Sequence, residues 1–288
     1  MEHFTTLIDT ASLARQIERV DFVLFDCRFE LANTSWGERE YAAAHIPGAQ
    51  YLHLDRDLSG PITAQSGRHP LPDPGEFARR LAARGVGADG RGPCQVIAYD
   101  QGNGAYASRL WWLARWIGLR HVAVLDGGIA AWRQAGLPLT QAEPRITPGE
   151  LPAKVDENAW LTSEAVDALR LEPGNLLVDA RGAERFAGRN ETIDPVAGHV
   201  PGARNHPFAA NLGVDGRFLP ATELRQRWQT ILGSLPASSV IAMCGSGVTA
   251  CHNLLALEHA GLTGARLYAG SWSEWIRDPS RATAIGAY

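Results

Sequence analysis

The residue best suited to covalent chemistry in this chain is a cysteine at the start of a glycine-rich turn. Cys244 follows the apolar run VIAM and opens the segment CGSGVTA, residues 244–250. Gly245 and Gly247 permit backbone turns that a side chain resists, so several N–H groups can point at one centre. A helix beginning near Thr249 or Ala250 would add its positive N-terminal end. We therefore predict that Cys244 is a nucleophile, held as a thiolate and able to carry a persulfide.

The same turn is predicted to contact the substrate, through Gly245, Gly247, Val248 and Thr249. The alternative is a buried core cysteine at the end of a strand, which is the usual role of a lone cysteine after an apolar run. Cys251 falls within the predicted helix, where packing is expected. Cys27 and Cys94 have no comparable surroundings.

Four sequence blocks occur twice, in the same order along the chain. The pairs are FVLFDCRF (22–29) with LLVDARGA (176–183), EYAAAHIPGAQYL (40–52) with VAGHVPGARNHPF (196–208), QVIAYDQGNGAYASRLWWLA (95–114) with SVIAMCGSGVTACHNLLALE (239–258), and VLDGGIAAW (124–132) with LYAGSWSEW (267–275). Residues present in both copies most simply serve the fold. His45 and His199, which recur in His-x-Pro-Gly-Ala, are therefore expected to be structural.

Residues present in only one copy are the candidates for chemistry. Asp100 stands in the first copy at the position of Cys244, and a carboxylate is no sulfur nucleophile. Arg185 aligns with Ala32, so this cation also belongs to the second copy alone. The first copy is therefore predicted to be silent in the reaction.

The elements that must position these residues alternate along each copy: strand, helix, strand, glycine-rich turn, helix, strand. This alternation predicts an α/β fold with two tandem domains, each a mainly parallel sheet with helices on both faces. Residues 139–154 contain prolines at 144, 148 and 152 and are predicted to form an extended linker. The predicted domains are residues 1–138, with a structural or regulatory role, and the catalytic residues 155–288.

Composition and charge exclude several classes of protein. The 288 residues carry a net charge of −4 with a pI near 6.1, which provides no basic footprint for nucleic acid. No apolar run approaches the roughly 18 residues of a membrane span, and the N-terminus lacks a signal or transit pattern. A cytoplasmic protein without a membrane partner is expected. The four cysteines form no CxxC and do not cluster with histidine, so neither a metal site nor a disulfide framework is expected.

Three motifs together resemble those of the tandem-domain rhodanese-type sulfurtransferases, and within them the 3-mercaptopyruvate sulfurtransferases. YAAAHIPGAQYL (41–52) is similar to the N-terminal signature, ARLYAGSWSEW (265–275) to the C-terminal one, and CGSGVTAC (244–251) to the mercaptopyruvate-type active loop. The resemblance implies a ping-pong reaction without a cofactor. Cys244 would take a sulfane sulfur from a small donor and pass it to a thiophilic acceptor, such as cyanide or a thiol, including thioredoxin.

The resemblance also implies a set of groups that act with the cysteine. Ser246 matches a loop serine proposed to act with a histidine and an aspartate. Those residues would be His69, in GRHPLP, and Asp55, in HLDRD. Their alternative role is to cap loops.

For the donor's carboxylate, the resemblance points to Arg185, whose planar fork suits a carboxylate. A surface ion pair with Glu184 or Glu191 is the alternative role. The family's second substrate arginine has no match, because that position holds Asp194, and Arg189 or Arg204 are the candidates to replace it. Since the turn itself carries no cationic side chain, higher kcat/KM is expected for 3-mercaptopyruvate than for thiosulfate.

Three other functions compete with this one. Cys-x5-Arg phosphatases use a similar loop but need an arginine six residues after the cysteine, where this chain has Ala250. A thiosulfate-preferring rhodanese would share the chemistry and differ in its donor. A persulfide carrier that docks on a protein partner would use Cys244 in the same way but would turn over free donors poorly.

Overall fold

The computed structural model describes residues 3–17, 22–88 and 94–286, which divide into two compact units. The first unit comprises the described parts of residues 1–60, 72–156 and 214–218. The second comprises those of residues 61–71, 157–213 and 219–288.

The first unit is built on a five-stranded sheet. Its strands are β1 (Leu7–Ile8), β2 (Phe22–Asp26), β3 (Ala49–Tyr51), β4 (Gln95–Tyr99) and β5 (Val122–Leu125). They pair in parallel, in the order β1-β5-β4-β2-β3. Its helices are α1 (Thr10–Gln16), α2 (Trp36–Ala43), α3 (Leu54–Asp57), α4 (Pro74–Ala83), α5 (Ala107–Trp116) and α6 (Gly128–Gln134).

The second unit repeats this plan. Its strands are β6 (Trp160–Leu161), β7 (Leu176–Asp179), β8 (Arg204–Asn205), β9 (Val240–Met243) and β10 (Arg266–Tyr268). Their order is β6-β10-β9-β7-β8, again all parallel. Its helices are α7 (Ser163–Leu169), α8 (Ala183–Phe186), α9 (Ala221–Leu232), α10 (Thr249–His259) and α11 (Ser271–Trp275), with 3₁₀ turns at Phe208–Asn211 and Ala237–Ser239. The equal strand orders confirm the predicted duplicated α/β fold.

The second sheet is buried on both faces, as its apolar strands predict. Successive residues of a strand point to opposite faces. Leu177 and Ile241 pack on one face with Trp272, whereas the adjacent Val178 and Val240 pack on the other in a cluster that contains Trp228. This arrangement explains why β7 and β9 are continuously apolar rather than alternating.

Paired structural groups recur in the two units. His45 and His199 each form an isolated antiparallel bridge, to Thr140 and Ala284 respectively. Each histidine is fully buried, with its Nδ1 within 2.8 Å of a backbone carbonyl. These contacts fit the structural role predicted for both histidines.

Two short segments depart from the predicted domain boundaries. Residues 61–71 pack in the second unit, where the Arg68 N–H donates to Ser273 Oγ at 3.1 Å. Residues 214–218 pack in the first, where the Phe218 N–H donates to Asp126 Oδ1 at 2.9 Å. The order of the segments along the chain does not indicate in which unit a loop packs. The second unit thereby gains residues of the GRHPLP segment.

Candidate active site

Cys244 lies between the end of β9 and the start of α10, which begins at Thr249 as predicted. Its side chain is buried. The Cys244 N–H donates to Ser271 Oγ at 3.0 Å, and the Ser246 N–H points at the Cys244 sulfur at 3.5 Å. The loop therefore aims a backbone donor at the sulfur.

Gly247 is required by the shape of this turn. Its φ of +77° is one that side-chain-bearing residues rarely adopt. A Cβ at this position would lie 2.2 Å from the carbonyl oxygen of Ala269. The loop thus packs against the chain segment after β10 without room for a methyl group.

The corresponding loop of the first unit directs its backbone N–H groups at a carboxylate of its own. The Asp100 carboxylate accepts four backbone hydrogen bonds, at 2.9 and 3.0 Å from Gly102 and Gly104 and at 2.9 and 3.3 Å from Tyr106 and Ala107. Burial raises the pKa of Asp100, and these N–H groups oppose that rise. The first copy therefore fills the centre of its own turn with a side-chain anion.

Ser246 and His69 are brought together as the resemblance implied. The distance between Ser246 Oγ and His69 Nδ1 is 2.7 Å, and both side chains are buried. His69 reaches the loop because residues 61–71 pack in this unit. Asp55 belongs to the first unit, where it is exposed on α3, and its part in the reaction stays a prediction.

Arg185 extends from α8 toward the loop. The point where a Cβ of Gly245 would stand is 3.7 Å from its guanidinium. It donates to Glu191 at 3.1 Å and to Asp194 at 3.0 Å. The acidic partner named as an alternative is thus present, but the pair lies beside the cysteine loop rather than at a remote surface.

A second cation beside the loop, Arg68, was missed in the sequence. Its Nη2 lies 2.9 Å from the Cβ position of Gly245, and its Nη1 pairs with Asp194. The turn carries no cationic side chain of its own, but two arginines from other segments lie beside it. The sequence pointed the other way, because GRH at 67–69 recurs as GRF at 216–218, and residues present in both copies are expected to serve the fold.

The two sequence candidates for a second substrate arginine have other partners. Arg189 forms an exposed ion pair with Glu184 at 2.5 Å. Arg204, on the edge strand β8, donates to the Ile231 carbonyl at 3.0 Å. Neither contact involves the cysteine loop.

The carboxylates behind the arginines differ in their electrostatics. Burial raises the pKa of Asp194, against the effect of Arg68, while the nearby Glu191 adds to the rise. Burial acts in the same direction on Glu191, but hydrogen bonds from Arg185 and from two backbone N–H groups outweigh it, so the pKa of Glu191 is lowered. The surroundings of Glu191 therefore favour its ionised form, whereas those of Asp194 disfavour it.

The remaining cysteines lie in settings that favour packing. Cys251 is buried in α10 and donates to the Gly247 carbonyl at 3.3 Å. Burial, together with the charge of Asp26, raises the pKa of Cys27 well above its ordinary value. Across the described residues, no group of three or more His, Cys, Asp or Glu side chains could hold a metal ion, and no helix is long and apolar enough to cross a membrane.

Comparison with known proteins gives a consistent result. Residues 9–135 and 162–278 each match the family described as Rhodanese-like domain. The chain is 49% identical to a protein of Pseudomonas aeruginosa named "Probable 3-mercaptopyruvate sulfurtransferase", over 97% of this chain and 98% of that protein. It is 32% identical to a thiosulfate sulfurtransferase of Cricetulus griseus, over 91% and 87%. Among solved structures, the 3-mercaptopyruvate sulfurtransferase SseA of Escherichia coli superposes with a TM-score of 0.79 at 31% identity, over 94% of this chain and 100% of that one.

Proposed function

Because this chain belongs to the rhodanese-like family and is a sulfurtransferase acting on a small sulfur donor and an acceptor, we propose that Cys244 carries the sulfur between them as a persulfide. Arg185 binds the donor's carboxylate, and Ser246 and His69 move the proton that the first half-reaction requires. Asp55 is the third member of that proton-handling set.

The observation that carries this proposal is the contrast between the two turns. A cysteine persulfide places its outer sulfur two bonds from Cβ, as aspartate places its carboxylate oxygens. In the first unit those oxygens accept four backbone N–H groups. The shorter thiol of Cys244 receives one N–H contact, from Ser246. An added sulfur would extend to the centre of the turn, where Gly245, Gly247, Val248 and Thr249 surround it.

The first half-reaction uses 3-mercaptopyruvate. The Cys244 thiolate attacks the donor sulfur, the carbon–sulfur bond breaks, and its electron pair forms the enolate of pyruvate. The proton of the donor's thiol passes to the enolate carbon, giving pyruvate and a deprotonated persulfide. The buried Ser246–His69 pair lies beside the cysteine and is placed to transfer that proton, since the two atoms are 2.7 Å apart.

The second half-reaction returns the enzyme to its starting state. A nucleophilic acceptor attacks the outer sulfur, the sulfur–sulfur bond breaks, and the electron pair returns to Cys244 as thiolate. Cyanide would leave as thiocyanate, and a thiolate, including that of thioredoxin, would leave as a persulfide. A cytoplasmic location suits this step because thiols stay reduced there, and no disulfide joins the chain's four cysteines, all of which lie in the described residues.

Mercaptopyruvate is the proposed donor in preference to thiosulfate. Its carboxylate suits the fork of Arg185, and its carbonyl can accept a hydrogen bond from Ser246. Although the turn has no cationic side chain of its own, Arg68 brings a cation to Gly245. A side chain added at Gly245 would meet that guanidinium at 2.9 Å, so converting the turn to a cationic one by substitution there would displace Arg68.

Replacement of single cysteines tests the proposal. Cys244→Ser is expected to abolish sulfur transfer, whereas the matched control Cys251→Ser, which alters an equally buried cysteine in the helix after the turn, retains most of it. Mass spectrometry after donor treatment should place one added sulfur on Cys244. A persulfide mapped to Cys251 would refute the assignment. Side-by-side kcat/KM values for the two donors then test the preference, and a carrier module would turn over neither rapidly.

A further inference from the structure

Two guanidiniums lie beside the residue that follows the nucleophile. Both Arg68 and Arg185 come within 4 Å of one point, the place where a Cβ of Gly245 would stand. They arrive from distant parts of the sequence, Arg185 from α8 and Arg68 from residues 61–71 of the same compact unit. The absence of a side chain at Gly245 leaves room for both.

One carboxylate joins these two cations from behind. Asp194 accepts from Arg68 through Oδ1 and from Arg185 through Oδ2. Its side chain is 2% exposed, whereas those of Arg68 and Arg185 are 25% and 22% exposed. The acid is therefore buried, and the part of the cluster that solvent and solutes can reach is the pair of guanidiniums.

Arg68 also retains hydrogen-bonding capacity. Its Nε is buried and has no hydrogen-bond partner. A buried donor without a partner is costly and is normally satisfied by protein, water or ligand. A guanidinium offers five N–H donors in a plane, so pairing with Asp194 leaves further donors for an anion.

We infer that Arg68 is a second donor-binding cation, that Asp194 positions it together with Arg185, and that the two arginines select donors whose carboxylate lies within a few bonds of the reacting sulfur. This inference rests on the proposed function, because it assumes that the donor's sulfur is attacked by Cys244. It assigns donor specificity to Arg68, whose side chain does not itself take part in the transfer of sulfur.

A purely structural role for Arg68 makes a different prediction. The Arg68 N–H already donates to Ser273, and its ion pair with Asp194 could serve only to anchor the segment that carries His69. Loss of an anchor would misplace His69 and slow reactions with charged and uncharged reagents alike. Loss of a carboxylate site would slow only the charged ones.

The test therefore compares the rates at which Cys244 is alkylated by iodoacetate and by iodoacetamide, which is of similar size but uncharged. The full chain is used, and every variant also carries Cys251→Ser. Arg68→Gln is expected to lower the iodoacetate-to-iodoacetamide rate ratio by about tenfold or more, mapped at Cys244 by mass spectrometry. It should also raise KM for mercaptopyruvate and the inhibition constant of pyruvate by about ten- to a hundredfold, with a smaller change in kcat. Arg68→Lys, which keeps a point charge, should retain most of the ratio.

The control is Arg217→Gln, which alters the corresponding arginine of residues 214–218 in the first unit and is expected to leave all three quantities unchanged. An unchanged reagent ratio in Arg68→Gln, or an equal slowing of both reagents, would overturn the inference. Failure of wild-type Cys244 to acquire sulfur would instead overturn the proposed function, and the reagent ratio would still report on Arg68.

Discussion

The Asp100 carboxylate fills the turn of the first unit that corresponds to the Cys244 turn. Its substitution measures how strongly the backbone N–H groups of that turn stabilise an anion. In Asp100→Asn, one of the two carboxylate oxygens becomes an NH₂ group. Whichever oxygen is replaced, two of the four backbone N–H donors then face another donor. Asp100 is fully buried, so water cannot compensate for them.

The magnitude follows from those two lost acceptors. A buried donor left without a partner costs about 1–3 kcal/mol, so the two together cost about 2–6 kcal/mol. The amide avoids the desolvation cost that raises the pKa of Asp100, which offsets part of this loss. We expect a net destabilisation of about 2–4 kcal/mol, a large fraction of the roughly 5–15 kcal/mol that stabilises a domain.

The assay is urea unfolding of the full chain combined with hydrogen exchange read by peptide. Amides of residues 102–107 should lose protection, while those of the Cys244 turn should keep it. Asp73→Asn is the matched control, because Asp73 caps α4 by accepting from the Glu76 N–H at 2.8 Å, and asparagine caps a helix about as well as aspartate. If Asp100→Asn costs no more than Asp73→Asn, the turn does not hold its anion as described, and the persulfide analogy loses its basis.

Two further predictions concern the second unit. Gly247→Ala should disrupt the turn and abolish persulfide formation, because φ is +77° and the new Cβ would meet a backbone oxygen at 2.2 Å. The control Gly48→Ala, where φ is +80° and the surrounding space is open, should lower the free energy of unfolding by about 1 kcal/mol and leave activity intact. Equal effects of the two substitutions on activity would contradict this prediction. Burial lowers the pKa values of His199 and His206 below the ordinary 6.5. As the pH falls, these histidines are therefore protonated in the unfolded chain at a higher pH than in the folded one, and the free energy of unfolding should decrease as the pH falls through 6.5. Urea unfolding midpoints measured between pH 7.5 and 5 test this prediction. The midpoint should depend less steeply on pH in His206→Gln than in the wild type, and an unchanged dependence would contradict the assignment.

Much of the fold, and the position of Cys244 in a turn between a strand and a helix, could be predicted because both depend on local sequence. The apolar runs that became β7 and β9 are followed by turns whose glycines are visible in the chain. The helix predicted to begin near Thr249 or Ala250 is α10, which begins at Thr249. The internal duplication also allowed the two copies to be aligned, which identified Asp100 as the counterpart of Cys244. By contrast, the two-residue edge strands β6 and β8 are too short to have a pattern of their own.

The surroundings of Cys244 were less predictable because they are assembled from remote segments. Arg68 and Cys244 are separated by most of the chain, and no local pattern links them. The partners of Arg185 were foreseen only in part, since Glu191 was named as an ion-pair partner but Asp194 was considered only as the residue in place of an arginine. Packing of residues 61–71 in the second unit supplies the missing cation at that carboxylate.

The rule that shared residues serve the fold and private residues serve chemistry therefore needs a qualification. Arg68 and Arg217 occupy corresponding places in two short segments: Arg68 lies beside Gly245 of the Cys244 turn, and Arg217 lines a cavity with Gly102 of the Asp100 turn. In the first unit the turn already contains the Asp100 carboxylate, so an incoming anion has no centre to occupy. In the second unit the thiol of Cys244 leaves that centre to a transferred sulfur. A shared arginine thus becomes a specificity residue because the side chain at the centre of its turn has changed, not because the arginine itself has.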